Sequence, residues 1–67
     1  MKSKIRTLRE EKMLSIAALS HLTNVNVTVI GMAERGKLAI GQKAQKALSA
    51  YYCQPVEALF SSSGMAL

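Results

Sequence analysis

The side chains with the clearest chemical potential in this sequence are its cations, and they are unevenly placed. Lys2, Lys4, Arg6, Arg9 and Lys12 crowd the first twelve positions, and Arg35, Lys37, Lys43 and Lys46 follow after a long gap. Between the two groups, Met13 through Ala33 carries no Asp, Glu, Lys or Arg. Ammonium and guanidinium groups bind phosphate oxygens. A net charge of +5 and an isoelectric point near 9.8 therefore favour an anionic partner such as a nucleic acid or a membrane surface. Covalent chemistry finds no support. No paired carboxylates, nucleophile–base set or phosphate-cradling glycine loop can be assembled, so we expect no enzyme. His21 and Cys53 are each the sole residue of their type, which argues against a metal site or other cofactor. Cys53 reads as a small buried hydrophobe, and its solitude fits a reducing cytoplasm.

These cations need a scaffold, and sixty-seven residues allow one small domain. A hydrophobic fraction of 49% is enough for a core and argues against disorder. Tyr51, Tyr52 and Phe60 are the only aromatics, so that core is mostly aliphatic. The uncharged run is long enough to raise a membrane span. Ser15, Ser20, His21, Thr23, Asn24, Asn26 and Thr28 interrupt it too often for hydrocarbon, so no membrane partner is expected. Glu10 and Glu11 likewise spoil a signal peptide.

Hydrophobic spacing and capping residues predict about five short helices packed as a compact all-α bundle. A first helix runs from Lys4 to Lys12, capped by Ser3, with Ile5 and Leu8 on one face. Ser15 caps a second that ends near Leu22 or Thr23, with Ala18, Leu19 and Leu22 as its apolar stripe. Asn24 through Val29 alternates like a strand, but nothing else in the chain could pair with it. Asn26 is therefore read as the cap of a third helix ending at Glu34 or Arg35, and Gly36 as its left-handed stop. On that helix Asn26, Val29, Ile30 and Ala33 face the core, while Val27, Thr28, Gly31 and Met32 face outward. A fourth helix runs from Gly41 or Gln42 to Tyr52, with Ala44, Ala47, Leu48 and Tyr51 inward. Pro55 sits in the first turn of a short fifth, and Val56, Leu59 and Phe60 close the core. Residues 61–67 read as a flexible tail after a domain spanning 1–60. Met1 and the loose tail suggest a complete chain.

Placed in this order, the elements resemble the Cro and phage-repressor type of helix-turn-helix domain, the lambda-repressor-like family. The resemblance runs from about Ile5 to Phe60, with the motif itself at about 15–35. It rests on Ile5 through Glu11, on Leu14-Ser15, on Leu19, Val25 and Ile30 at core spacing, on Glu34-Arg35-Gly36-Lys37, and on Val56 through Phe60. It implies that the helix at about 26–34 enters the major groove of double-stranded DNA, with Val27, Thr28, Gly31 and Met32 at the base edges. It also implies phosphate contacts from Arg6, Ser15, Arg35, Lys37, Gln42 and Lys43. A structural ion pair would join Arg9 to Glu34. Two departures stand out. The base-facing set has one hydroxyl and no long polar side chain, and Ile16 replaces the usual phosphate-binding glutamine.

The resulting expectation is a small cytoplasmic, sequence-specific transcriptional regulator of prokaryotic or phage type, acting as a homodimer. The dimer surface would involve Tyr51, Tyr52, Val56, Phe60, Met65 and Leu67, with ordinary core as the equal alternative for these residues. The alternative is a protein-interaction module on the same fold: an antirepressor or modulator of a repressor, or an antitoxin-like partner. It would dock the apolar outer face of the third helix onto a protein.

Overall fold

The uncharged central stretch folds as two helices, each opened by a polar N-cap residue. In the computed structural model, which describes residues 2–67, Ser15 Oγ accepts a hydrogen bond from the Ala18 amide at 3.0 Å. Asn26 Oδ1 accepts from Thr28 N at 2.8 Å and from Val29 N. Each cap satisfies amides that would otherwise lack an intrahelical partner. They open α2 (Ile16–Thr23) and α3 (Val27–Glu34). Asn24, in the left-handed conformation at φ 61°, ends α2. The full order is α1 (Lys4–Glu11), α2, α3, α4 (Gln42–Tyr52) and α5 (Val56–Leu59), an all-helical globule of 27 × 24 × 20 Å. Met1 lies outside the described residues.

The core draws on every helix. Ile5, Leu19, Ile30, Leu48 and Leu59 are fully buried, and Val25, Ala33, Ile40, Tyr52 and Phe60 complete the cluster. Each fully buried aliphatic side chain contributes about 1.5–3 kcal/mol relative to exposure. Such contributions matter in a domain this small.

Several expectations need correction. Residues 61–67, read as a flexible tail, fold back and join the domain. Ser61 N donates to the Met65 carbonyl at 2.8 Å, Leu67 N to Leu59 at 2.9 Å, and Ile40 N to Gly64 at 3.1 Å. Lys4 N in turn donates to the Leu67 carbonyl at 2.7 Å, and Phe60 pairs with Ala66 in an antiparallel bridge. Main-chain hydrogen bonds order this segment, and composition does not announce them. The proposed dimer surface shrinks accordingly, because Tyr52 and Phe60 are core residues. α1 stops at Glu11 with Lys12 as its cap, and Pro55 sits just outside α5 at the N-cap. Leu22, assigned to the apolar stripe of α2, is 53% exposed, and Asn26 is exposed because its side chain serves as a cap. Cys53 is also exposed. It occupies the left-handed C-cap of α4 at φ 55°.

Candidate nucleic-acid interface

The position of α3 follows from two anchors, one at each end. At its start, Asn24, Val25 and Asn26 form a three-residue turn across which the chain bends by 119° between α2 and α3. Val25 is buried at that corner, and Ser20 Oγ donates to its carbonyl. At the other end, Arg9 of α1 grips Glu34. Arg9 Nε donates to Glu34 Oε2 at 2.8 Å and Nη2 to Oε1 at 3.0 Å, a two-pronged contact that fixes both planes. The third prong, Nη1, donates to the Leu14 carbonyl at 2.8 Å, so the same guanidinium also holds the α1–α2 connection. That connection is tight: Met13 adopts φ 57° and its side chain is 91% exposed.

The pairing of Arg9 with Glu34 expected from the resemblance is thus present in the structure. The Glu34 side chain is almost wholly buried and that of Arg9 is 12% exposed. Hydrogen bonding to Glu34 raises the Arg9 pKa above its ordinary value, and burial opposes that rise. A buried pair of this kind organises more than it stabilises, but losing one partner strands the other. Tyr52 lies within the electrostatic reach of both. Its hydroxyl is buried without a hydrogen-bond partner among the described residues, and burial pushes its pKa up to about 12.

Between the anchors, α3 turns its outer face to solvent. Val27 is 45% exposed and Thr28 is exposed, whereas Gly31 and Met32 are half-buried. The four expected contact residues therefore divide into an open pair at the helix start and a recessed pair one turn on. Gly31 is recessed against Ile16, whose Cδ1 would sit 3.9 Å from an added Cβ. Ile16 is itself half-buried and packs against the core cluster.

The expected phosphate-contact residues differ in how free their side chains are. Arg35 caps the C-terminus of α3 and Lys37 lies two residues beyond, past Gly36 in the left-handed conformation at φ 70°. Gln42 and Lys43 open α4, and all four side chains are exposed. Among the described residues, Arg35, Lys37 and Lys43 pair with no carboxylate. Arg6 is less available: its Nε donates to Glu10 Oε2 at 3.2 Å, and Lys2 Nζ donates to Glu10 Oε1 at 2.6 Å. Those bonds, that from Lys2 foremost, hold the Glu10 carboxyl below its ordinary pKa. Ser15 Oγ is occupied as the N-cap of α2, accepting from the Ala18 amide.

Sequence reasoning overlooked Gln45. Its Nε2 donates to the Ile40 carbonyl at 2.7 Å, while Gly64 accepts from the Ile40 amide. Together they fix Ile40, just ahead of Gln42 and Lys43. No periodic pattern could have flagged either contact. Among the described residues no three His, Cys, Asp or Glu side chains cluster closely enough for a metal ion, and no single helix is long and apolar enough to cross a membrane. No family model, curated protein or solved structure matches this chain.

Proposed function

We propose that this chain is a small sequence-specific DNA-binding transcriptional regulator of prokaryotic or phage type, placing α3 in the major groove of duplex DNA as one half of a homodimer. The observation that carries the reading is the α2–α3 bend of 119° across a three-residue turn, with Val27 and Thr28 exposed at the start of α3. Helix pairs joined in this way present the first residues of the second helix to base edges. Thr28 supplies a hydroxyl for a base, and Val27 suits a thymine methyl. Arg35, Lys37 and Lys43, with no competing carboxylate, suit the phosphate backbone on either side. A dimer is inferred because one such domain spans too few base pairs for tight specific binding.

Selection from random duplexes tests the proposal. The expected product is a pseudo-palindrome whose half-sites lie about one helical turn apart. Thr28→Ala should relax discrimination at one base pair, while Lys37→Ala should weaken all sequences alike and reduce the salt slope by about one. Gly31→Ala separates folding from contact. The added methyl meets only Ile16 at 3.9 Å and gains about 1 kcal/mol of helix propensity. A stabilised variant that has lost DNA affinity would place the partner's backbone close to Gly31. Failure to enrich any duplex at low salt would refute the DNA reading.

The second reading is a protein-interaction module, an antirepressor, modulator or antitoxin-like chain. What favours it is the 45% exposed Val27 on a helix whose outer face carries no charge. Val27→Asp is the cleaner probe, since half-buried Met32 also contributes to folding. Co-purification from the native host that survives Val27→Asp unchanged would argue against this surface as the contact.

A further inference from the structure

A groove of about 480 Å³ lies beside the proposed DNA-facing elements and shares Lys43 with them. Its walls come from the α2–α3 turn, the segment 38–41 and the first turns of α4. Val25, Val29, Ile40, Ala44 and Ala47 make the lining largely apolar. Leu38, 36% exposed, also lines it. A groove of this size falls within the range of about 300–1,000 Å³ used by small-molecule sites.

Its charge is one-sided. Lys43 is the single ionised residue among those lining it. The chain's four glutamates all lie elsewhere: Glu10 is paired with Lys2 and Arg6, Glu34 with Arg9, and neither Glu11 nor Glu57 borders the groove. Lys43 pairs with no carboxylate among the described residues. Gly41, which also lines the groove, caps α4 but offers no side-chain acceptor to the first-turn amides, whose positive potential adds to that of Lys43. An apolar trough with one unpaired cation in its lining suits an occupant with an apolar body and one negative charge.

We propose that this groove binds a small amphipathic carboxylate, a straight-chain aliphatic monoanion of medium length. Its chain lies along Val25, Val29, Ala44 and Ala47, and its carboxylate meets Lys43. Burying a methylene contributes about 0.8 kcal/mol, close to fourfold in affinity, and an open groove realises part of that. Two- to fourfold tighter binding per added methylene is the expected trend from butanoate to octanoate. An exposed charge pair contributes up to about fivefold.

The test is titration of the full chain with octanoate in the absence of DNA, followed by the methyl resonances of Val25, Val29, Ala44 and Ala47. Saturable shifts confined to those methyls below about 10 mM are expected. Lys43→Gln, a surface change, should weaken octanoate about three- to fivefold and leave octan-1-ol unaffected. Ala47→Leu should fill the trough and abolish the shifts while the spectrum remains that of a folded domain. If Ala47→Leu does not fold, Ala44→Ser, which makes one wall polar, should still weaken octanoate. Non-saturating shifts, shifts spread over Met13 and Leu22, or equal affinity for the acid and the alcohol would each overturn the proposal. No DNA enters the measurement, so its outcome stands apart from that of the duplex selection.

Discussion

Replacing Gly64 with alanine should destabilise the domain by about 2–3 kcal/mol, although Gly64 follows three serines in what reads as a loose stretch. Its backbone lies in the left-handed region at φ 89°, where a side chain costs about 1–2 kcal/mol. An added Cβ would also lie 2.7 Å from the Ile40 carbonyl oxygen and 3.1 Å from Gln45 Nε2. The oxygen is main chain and cannot swing aside, so the segment must move and weaken the Ile40–Gly64 hydrogen bond, at about 1 kcal/mol. Gly36 provides the internal control. It has φ 70° but nothing within 4 Å of an added Cβ, so Gly36→Ala should cost only about 1 kcal/mol. Urea denaturation of the three proteins measures the difference, read as a midpoint shift at constant slope. Equal losses for the two variants would refute the claim that residues 61–67 are built into the fold.

Arg9→Ala should cost about 3 kcal/mol by stranding the buried Glu34, lowering the melting temperature by more than about 10 °C in a domain of this size. Arg6→Ala, which breaks an exposed pair, should cost less than about 1 kcal/mol by the same melts, and similar losses would contradict the assigned roles. Tyr52 predicts an alkaline effect. Below pH 10 its hydroxyl is neutral in both states; between about 10 and 12 the unfolded chain releases the proton first, so stability falls as pH rises. Tyr52→Phe should remove that component without losing a hydrogen bond, and parallel pH profiles for the two proteins would exclude it. Gly41→Ser should add the missing cap to α4 and raise stability by a few tenths of a kcal/mol, measured by thermal melting, since its φ of −72° and open surroundings admit a side chain.

The helices were legible because their ends carry local chemistry. Ser3, Ser15 and Asn26 each accept hydrogen bonds from amides two or three residues ahead, and short-range signals of that kind survive in a single sequence. The pairing of Arg9 with Glu34 was legible only through the resemblance, since the partners are 25 positions apart. Burial within each helix was harder to read. Periodicity placed Ile30 and Ala33 inward but also placed Leu22 there, because spacing gives a face and not where the neighbouring helix ends. The order of residues 61–67 is illegible in the sequence for a different reason. Their order comes from main-chain bonds to Lys4, Ile40 and Leu59, and a serine-rich composition carries no trace of such partners. On the outer face, Val27 and Thr28 were placed outward by spacing, while the recess around Gly31 depends on Ile16, a contact between two helices.

Val27 and Thr28 are both β-branched, and inside a helix such side chains have few χ1 wells open to them. A contact surface made from them is largely immobilised before any encounter, whereas glutamine or arginine would have several torsions to freeze on docking. Whatever meets α3 should therefore be met by a stiff, preshaped template. Its association should show a negative heat-capacity change from apolar burial, with little adaptation to an ill-fitting target.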